Sequence, residues 1–100
     1  MMKQLPPEIV NFQADVIKAL GHPLRIQMVD FLHNKERSVT EIIKHFKVDA
    51  SVVSRQLAIL KRAGILASRK SGLNVYYSVA MTQVPAFLRY VAQSLRKKFA

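Results

Sequence analysis

Residues 38 to 64 read Ser38-Val39-Thr40-Glu41-Ile42-Ile43-Lys44-His45-Phe46-Lys47-Val48-Asp49-Ala50-Ser51-Val52-Val53-Ser54-Arg55-Gln56-Leu57-Ala58-Ile59-Leu60-Lys61-Arg62-Ala63-Gly64. Ser38 followed three residues on by Glu41 has capping-box spacing: the hydroxyl can accept from the Glu41 amide while the carboxylate reaches back to the Ser38 amide. A short helix through Ile42, Ile43 and Phe46 is predicted to follow. After Lys47-Val48, Asp49 offers a second N-cap, and a helix over residues 50–63 buries Val53, Leu57 and Leu60 before Gly64 ends it. Two helices joined by a turn of about three or four residues, the second strongly basic, make a helix-turn-helix.

The flanks extend this unit in both directions. From Glu8 to Leu20, the apolar residues Ile9, Phe12, Val16, Ile17 and Leu20 recur at helical spacing, and Gly21-His22-Pro23 stops the run. Pro23 suits the first turn of a second helix carrying Leu24, Met28, Phe31 and Leu32 and ending near His33-Asn34. Beyond Gly64 the period changes. Ile65 to Lys70 and Val75 to Val79 read as strands, with the turn residues Ser71-Gly72-Leu73-Asn74 between them. A last helix, from about Thr82 to Lys98, tolerates Pro85 in its first turn and aligns Val84, Phe87, Leu88, Val91, Leu95 and Phe99 on one side. The predicted order is α-α-α-α-β-β-α, mainly helical with a two-stranded hairpin. Residues 1–7 read as a flexible arm and 8–100 as one domain, the number that 100 residues, half of them apolar, can build.

Composition narrows the function classes. The chain has no cysteine, which excludes disulfide scaffolds, thiol nucleophiles and thiolate metal sites. Its apolar runs fall far short of the ~20 residues of a membrane-spanning helix, and its start lacks a secretory signal. A soluble cytoplasmic protein without a membrane partner is expected. The net charge is +10 and unevenly spread. All six acidic residues lie before Ala50, where seven basic residues nearly cancel them; from Ala50 onward there are nine basic residues and no acid. Solubility does not require carboxylates to be excluded from half a domain, whereas an extended polyanion does favour that asymmetry.

With Val53, Leu57 and Leu60 turned inward, the residues expected to face outward near the start of the 50–63 helix are Ser51, Val52, Ser54, Arg55 and Gln56. A helix fits the major groove of DNA; Arg pairs with guanine, Gln with adenine, Ser with base edges or phosphate, and Val with a thymine methyl. Solvated polar positions on a surface helix would look similar, but not inside a half-chain free of acids. At the hairpin, Arg69, Lys70 and Asn74 can reach phosphate or an adjacent minor groove, while Val75, Tyr77 and Val79 pack on the helices. Lys44 and Lys47 flank the turn and suit backbone phosphates. Lys61 and Arg62 suit phosphates or solvent. A binder of RNA or single strands would instead need Tyr76 exposed beside the basic hairpin.

Ala19-Leu20-Gly21-His22-Pro23-Leu24-Arg25, then Ser51-Val52-Val53-Ser54-Arg55-Gln56-Leu57 with Leu60-Lys61-Arg62-Ala63-Gly64-Ile65-Leu66, then Gly72 and Val75-Tyr76-Tyr77, together resemble the ArsR/SmtB family of winged-helix repressors. The resemblance runs from about residue 9 to 97. It implies a homodimeric transcriptional repressor on a roughly palindromic double-stranded DNA operator, with helix 50–63 in the major groove and the 65–79 hairpin as wing. It also implies a dimer interface from the first and last helices, for which Ile9, Phe12, Val16, Val84, Phe87, Leu88, Val91 and Leu95 are the candidates. Independently, six large apolar residues on a terminal helix exceed what one small core uses.

Family members that sense metals carry a cysteine motif in the third helix or Asp, His and Glu ligands on the last. Here those places hold Ser38 to Ile43, and Met81, Gln83, Ser94 and Lys97, none of them a zinc ligand set. His22, His33 and His45 are dispersed along the second and third helices. No metal, no cofactor and no catalytic residue is expected, and no particular effector is indicated. A winged-helix module that binds another protein is the remaining alternative.

Overall fold

The computed structural model describes residues 4–99. Met1 to Lys3, in the predicted arm, and Ala100 lie outside the described residues. Helix α1 spans Pro7–Leu20, α2 Pro23–Phe31, strand β1 Arg37–Ser38, α3 Val39–Phe46, α4 Ala50–Arg62, β2 Leu66–Ser71, β3 Asn74–Val79 and α5 Gln83–Phe99. Helix α1 begins one residue before the expected start at Glu8, because Pro7, whose fixed φ and missing N–H suit a first turn, opens it. No described helix is long and apolar enough to cross a membrane.

Local chemistry accounts for most boundaries. The capping box at α3 is complete: the Glu41 amide donates to Ser38 Oγ at 3.1 Å and the Ser38 amide to Glu41 Oε1 at 3.0 Å. The bond from the Ser38 amide holds the Glu41 carboxyl below its ordinary pKa. That contribution to stability is therefore complete above the unfolded-state value and is lost as pH falls through the folded one. At α2 the cap is His22, whose Nδ1 accepts from the Leu24 amide at 3.2 Å. Asp49 occupies the N-cap position of α4, but its side chain makes no capping bond, contrary to expectation; only its carbonyl is engaged, by the Val52 and Val53 amides. The far end of α4 closes in a Schellman motif. Gly64, at φ 84°, donates to the Lys61 carbonyl, and Ile65 to that of Leu60.

A sheet of order β1-β3-β2 replaces the isolated hairpin. Arg37 and Ser38 pair with Tyr77 and Tyr76 on the inner edge of β3, and two residues are too few to show an alternating pattern in the sequence. Strands β2 and β3 pair from Leu66↔Val79 to Ser71↔Asn74. The two-residue loop has its left-handed φ only at Gly72, at 62°, the pattern of a type II′ turn.

The core lies where the helices meet β2. Met28, Val29 and Leu32 of α2, Ile42 of α3, and Val53, Leu57 and Leu60 of α4 surround Ile65 and Leu66, with Ala19, Leu20 and Val84 closing the ends. Truncating Leu57 or Leu60 to alanine should cost about 2–5 kcal/mol, because such a core cannot collapse fully around the void.

The turn between α3 and α4 depends on Lys47, the one described non-glycine residue with positive φ, at 54°. Its N–H closes α3 on the Ile43 carbonyl, and it supplies the left-handed residue that redirects the chain toward α4. Glycine adopts this backbone without the Cβ penalty. Lys47→Gly is expected to raise unfolding free energy by about 0.5–1 kcal/mol in urea titrations, since the strain relieved exceeds the entropy lost.

Candidate nucleic-acid interface

Helix α4 sits with one face in the core and the other in solvent. The buried face is Val53, Gln56, Leu57 and Leu60; the open face runs through Ser51, Ser54, Arg55, Ala58, Lys61 and Arg62, with Val52 half-buried at its edge. No acidic residue occurs anywhere in the helix. Among the described residues Arg55 makes no ion pair, so its guanidinium stands in water with all its donors available. Four of the five side chains expected to face outward on α4 therefore share one accessible surface.

Gln56 does not. Its side chain is only 8% exposed, and its Oε1 accepts from Arg25 Nη1 at 2.7 Å. The spacing contained the signal: position 56 lies three after Val53 and four before Leu60, on the inward stripe. A polar residue there needs a buried partner, and Arg25 provides it.

The wing divides its basic residues. Lys70 and Asn74 are exposed near the turn, and Leu73 at the tip is 98% exposed. Arg69, by contrast, is held. Its Nε and Nη2 donate to the two carboxylate oxygens of Glu36 at 2.7 and 2.6 Å, and its guanidinium lies 4.7 Å from the centre of the Tyr76 ring. This fork of hydrogen bonds keeps the Glu36 carboxyl below its ordinary pKa and raises that of Arg69, against a smaller opposing effect of desolvation. Tyr76 is half-buried beneath that guanidinium and offers no open stacking platform. Tyr77 and Val79 pack against the core, as the alternation predicts, whereas Val75, paired with Lys70 near the turn, is only half-buried and lies outside it.

Lys61, at the far end of α4, donates to Ser68 Oγ at 2.6 Å and ties the helix to β2. Lys44 and Lys47 are both exposed beside the turn between α3 and α4. Turn, α4 and wing thus each carry exposed lysines or arginines.

The candidate dimer residues separate into two groups. Ile9, Phe12, Phe87, Val91 and Leu95 are exposed, Phe12 at 69% and Phe87 at 53%; Val16 and Leu88 are half-buried against the core. Val84 is a correction: at 6% exposure it belongs to the core of its own chain. Face and length together explain the division: Phe87 lies between Val84 and Leu88 on a side of α5 turned from the core, and Val91 and Leu95 follow further along a helix of 17 residues, about 25 Å. Ile17, Tyr90 and Phe99 add to the exposed apolar surface.

No group of three or more His, Asp or Glu side chains converges among the described residues. His22 is used as a cap, and the His45 ring stacks on Phe31 at 3.9 Å. An open groove of about 1060 Å³ runs between α2, α3 and α5, and no serine, threonine or cysteine lines it.

The comparisons with known proteins agree with this geometry. The model of the family described as "Bacterial regulatory protein, arsR family" matches residues 22–68, from the cap of α2 into β2. An uncharacterized HTH-type transcriptional regulator of Mycobacterium tuberculosis, Rv0081, is 31% identical over 90 residues, covering 89% of this chain and 79% of its own length. A "Transcriptional repressor SmtB homolog" of Synechocystis is 33% identical over 101 residues, covering 96% and 76%. The solution structure of a homodimeric winged helix-turn-helix DNA-binding domain from Mycobacterium bovis superimposes with a TM-score of 0.83 at 27% identity, covering 98% of this chain and 95% of that one. With an open, acid-free helix seated in a helix-turn-helix and flanked by a wing, and with relatives of this kind along nearly its whole length, the chain belongs to the ArsR family of winged helix-turn-helix, DNA-binding transcriptional regulators.

Proposed function

We propose that the protein is a cytoplasmic repressor that binds a palindromic operator as a homodimer, with α4 in the major groove and the β2–β3 hairpin as wing. The observation that carries this reading is the open face of α4, where Arg55 stands unpaired between Ser51, Val52 and Ser54 without a carboxylate on the helix. These four residues read base edges; Gln56, engaged inside the domain, is left out. Lys44, Lys47, Lys70 and Asn74 contact phosphates and sugars and set the register. Arg69 joins them only where a phosphate competes with Glu36, so its main part is to brace the wing.

A second copy of the chain covers the overhanging apolar ends of α1 and α5. The homodimeric state of the M. bovis domain supports this. Two copies related by a two-fold axis present two α4 helices to half-sites one helical turn apart, which makes the operator palindromic.

Titration of a duplex selected from random DNA, at several salt concentrations, tests the assignments. Arg55→Ala is expected to lose about 1–3 kcal/mol of discrimination, roughly 5- to 150-fold, at an unchanged salt slope; a uniform loss with a shallower slope would make it a phosphate contact. Lys70→Ala should weaken binding to every duplex alike and reduce the slope by about 1. Affinity that stays at ~10⁻⁴–10⁻⁶ M for all duplexes at physiological salt would favour a protein-binding module instead. Phe87→Glu, placing charge on the overhang, should weaken the dimer roughly 100-fold, given about 1.5 kcal/mol or more from each of two symmetry-related rings, and should give a monomer in light scattering at micromolar concentration.

A further inference from the structure

Arg25 occupies the first turns of α2, yet its side chain leaves that helix to make two bonds elsewhere. Nε donates to the Ala19 carbonyl at the end of α1 at 2.6 Å, and Nη1 donates to Gln56 Oε1 at 2.7 Å. Arginine only donates, so the amide of Gln56 must turn its oxygen to this partner. One guanidinium thereby joins three helices: α1, with its overhanging apolar end; α2, which carries Arg25; and α4, next to Arg55. The other contacts of α4 with the core are apolar and non-directional, and Val53, Leu57 and Leu60 could be satisfied over a range of small rolls and slides of the helix. A charge-assisted hydrogen bond is directional and short-ranged. It selects one roll.

We propose that Arg25 and Gln56 are a positioning pair: they fix the rotation of α4 about its own axis relative to α1 and α2, and so aim Ser51, Ser54 and Arg55 at the base edges without touching DNA themselves. The proposal rests on the DNA-binding reading above and refines it. It explains why a glutamine beside the candidate base readers is buried, and why an arginine from the helix before the helix-turn-helix reaches into it. It also adds a directional polar link between α1, whose other end lies in the candidate dimer surface, and α4, beside the apolar packing that the two helices share.

The test compares the full-length chain with Gln56→Leu, Arg25→Leu, the double variant, Gln56→Glu and Arg25→Lys, measuring affinity for the selected duplex and for a random duplex of equal length at fixed salt. Each leucine variant is expected to lower the selected-to-random affinity ratio about 10-fold, with random-duplex affinity and salt slope held within about 2-fold, because aim is lost and charge contacts are kept. The double variant should lose no more than roughly 2-fold beyond the worse single one, the mark of two residues acting as a unit. Gln56→Glu should keep the ratio within about 3-fold, since a carboxylate accepts from Arg25 in the same place and faces away from DNA. Arg25→Lys, which retains the charge but not the fork, should fall between.

The result that overturns the proposal is equally specific. Were Gln56 a base reader, Gln56→Glu would repel both duplexes and change the preferred sequence, and the two leucine substitutions would add. An unchanged ratio in the leucine variants would also overturn it. Should those variants not fold, Gln56→Glu and Arg25→Lys still decide the matter. A double-mutant cycle on urea unfolding reads the pair without DNA: absence of coupling removes the contact itself, whereas coupling in a chain that prefers no duplex would sink the DNA-binding reading and the positioning role with it while leaving the contact intact.

Discussion

Everything that α4 can do follows from the burial of one of its faces. Val53, Leu57 and Leu60 lie in the core against Met28, Val29, Ile42 and Ile65, and this arrangement decides which side chains are left outside. The Schellman closure at Gly64 then carries the chain straight from Leu60 to Ile65, two residues of the same core, so the wing is launched from the point where the helix is held most firmly. Lys61 adds a polar tie from the helix to β2. Reading helix and wing are thus two extensions of one packed junction, which is what a surface complementary to a stiff duplex requires.

The terminal helices obey a different rule. Each docks by one end only: α1 by Val16, Ala19 and Leu20, α5 by Val84 and Leu88. Ile17 and Phe87 lie within those same turns on a face turned away from the core, and Phe12, Val91 and Leu95 continue the exposed apolar surface beyond them. Phe12, Ile17, Phe87 and Tyr90 stand in water on the single chain, and exposed apolar surface of this kind marks a protein contact. This surface lies on faces of α1 and α5 other than those that Val16, Leu20, Val84 and Leu88 turn to the core, so covering it would leave the core undisturbed.

The helical pattern, the capping box, the hairpin turn and the place of the helix-turn-helix were legible in the sequence because each has a local cause that a few neighbouring residues express. What was not legible depended on partners far along the chain. The pairing of β1 needs Tyr76 and Tyr77, the inward turn of Gln56 needs Arg25, and the burial of Val84 depends on how far α5 projects past its support. Asp49 had the right residue type and position for a cap and makes no capping bond, whereas His22, read only as part of a joint, does cap. Residue type indicates what a side chain is able to do; which of those abilities is used depends on the geometry around it.

Charge illustrates the same distinction. Nine basic residues without an acid from Ala50 onward describe a strongly asymmetric chain, but folding returns acidic residues of the first half to two of them, Glu36 to Arg69 and Asp30 to Arg89. The two pairings differ in kind. The Arg89 pair is a single exposed contact at 3.2 Å, of the sort that contributes little. The Glu36 fork is bidentate and backed by the Tyr76 ring, and it draws its arginine away from the tip of the wing. What remains without a carboxylate on the turn, α4 and the wing is a smaller and better-defined set: Arg55, Lys61 and Arg62 on the helix, Lys70 near the wing tip, Lys44 and Lys47 at the turn. On α4 these side chains lie on the face that the core does not occupy, so the packing that builds the domain also determines which cations of the helix a polyanion can meet.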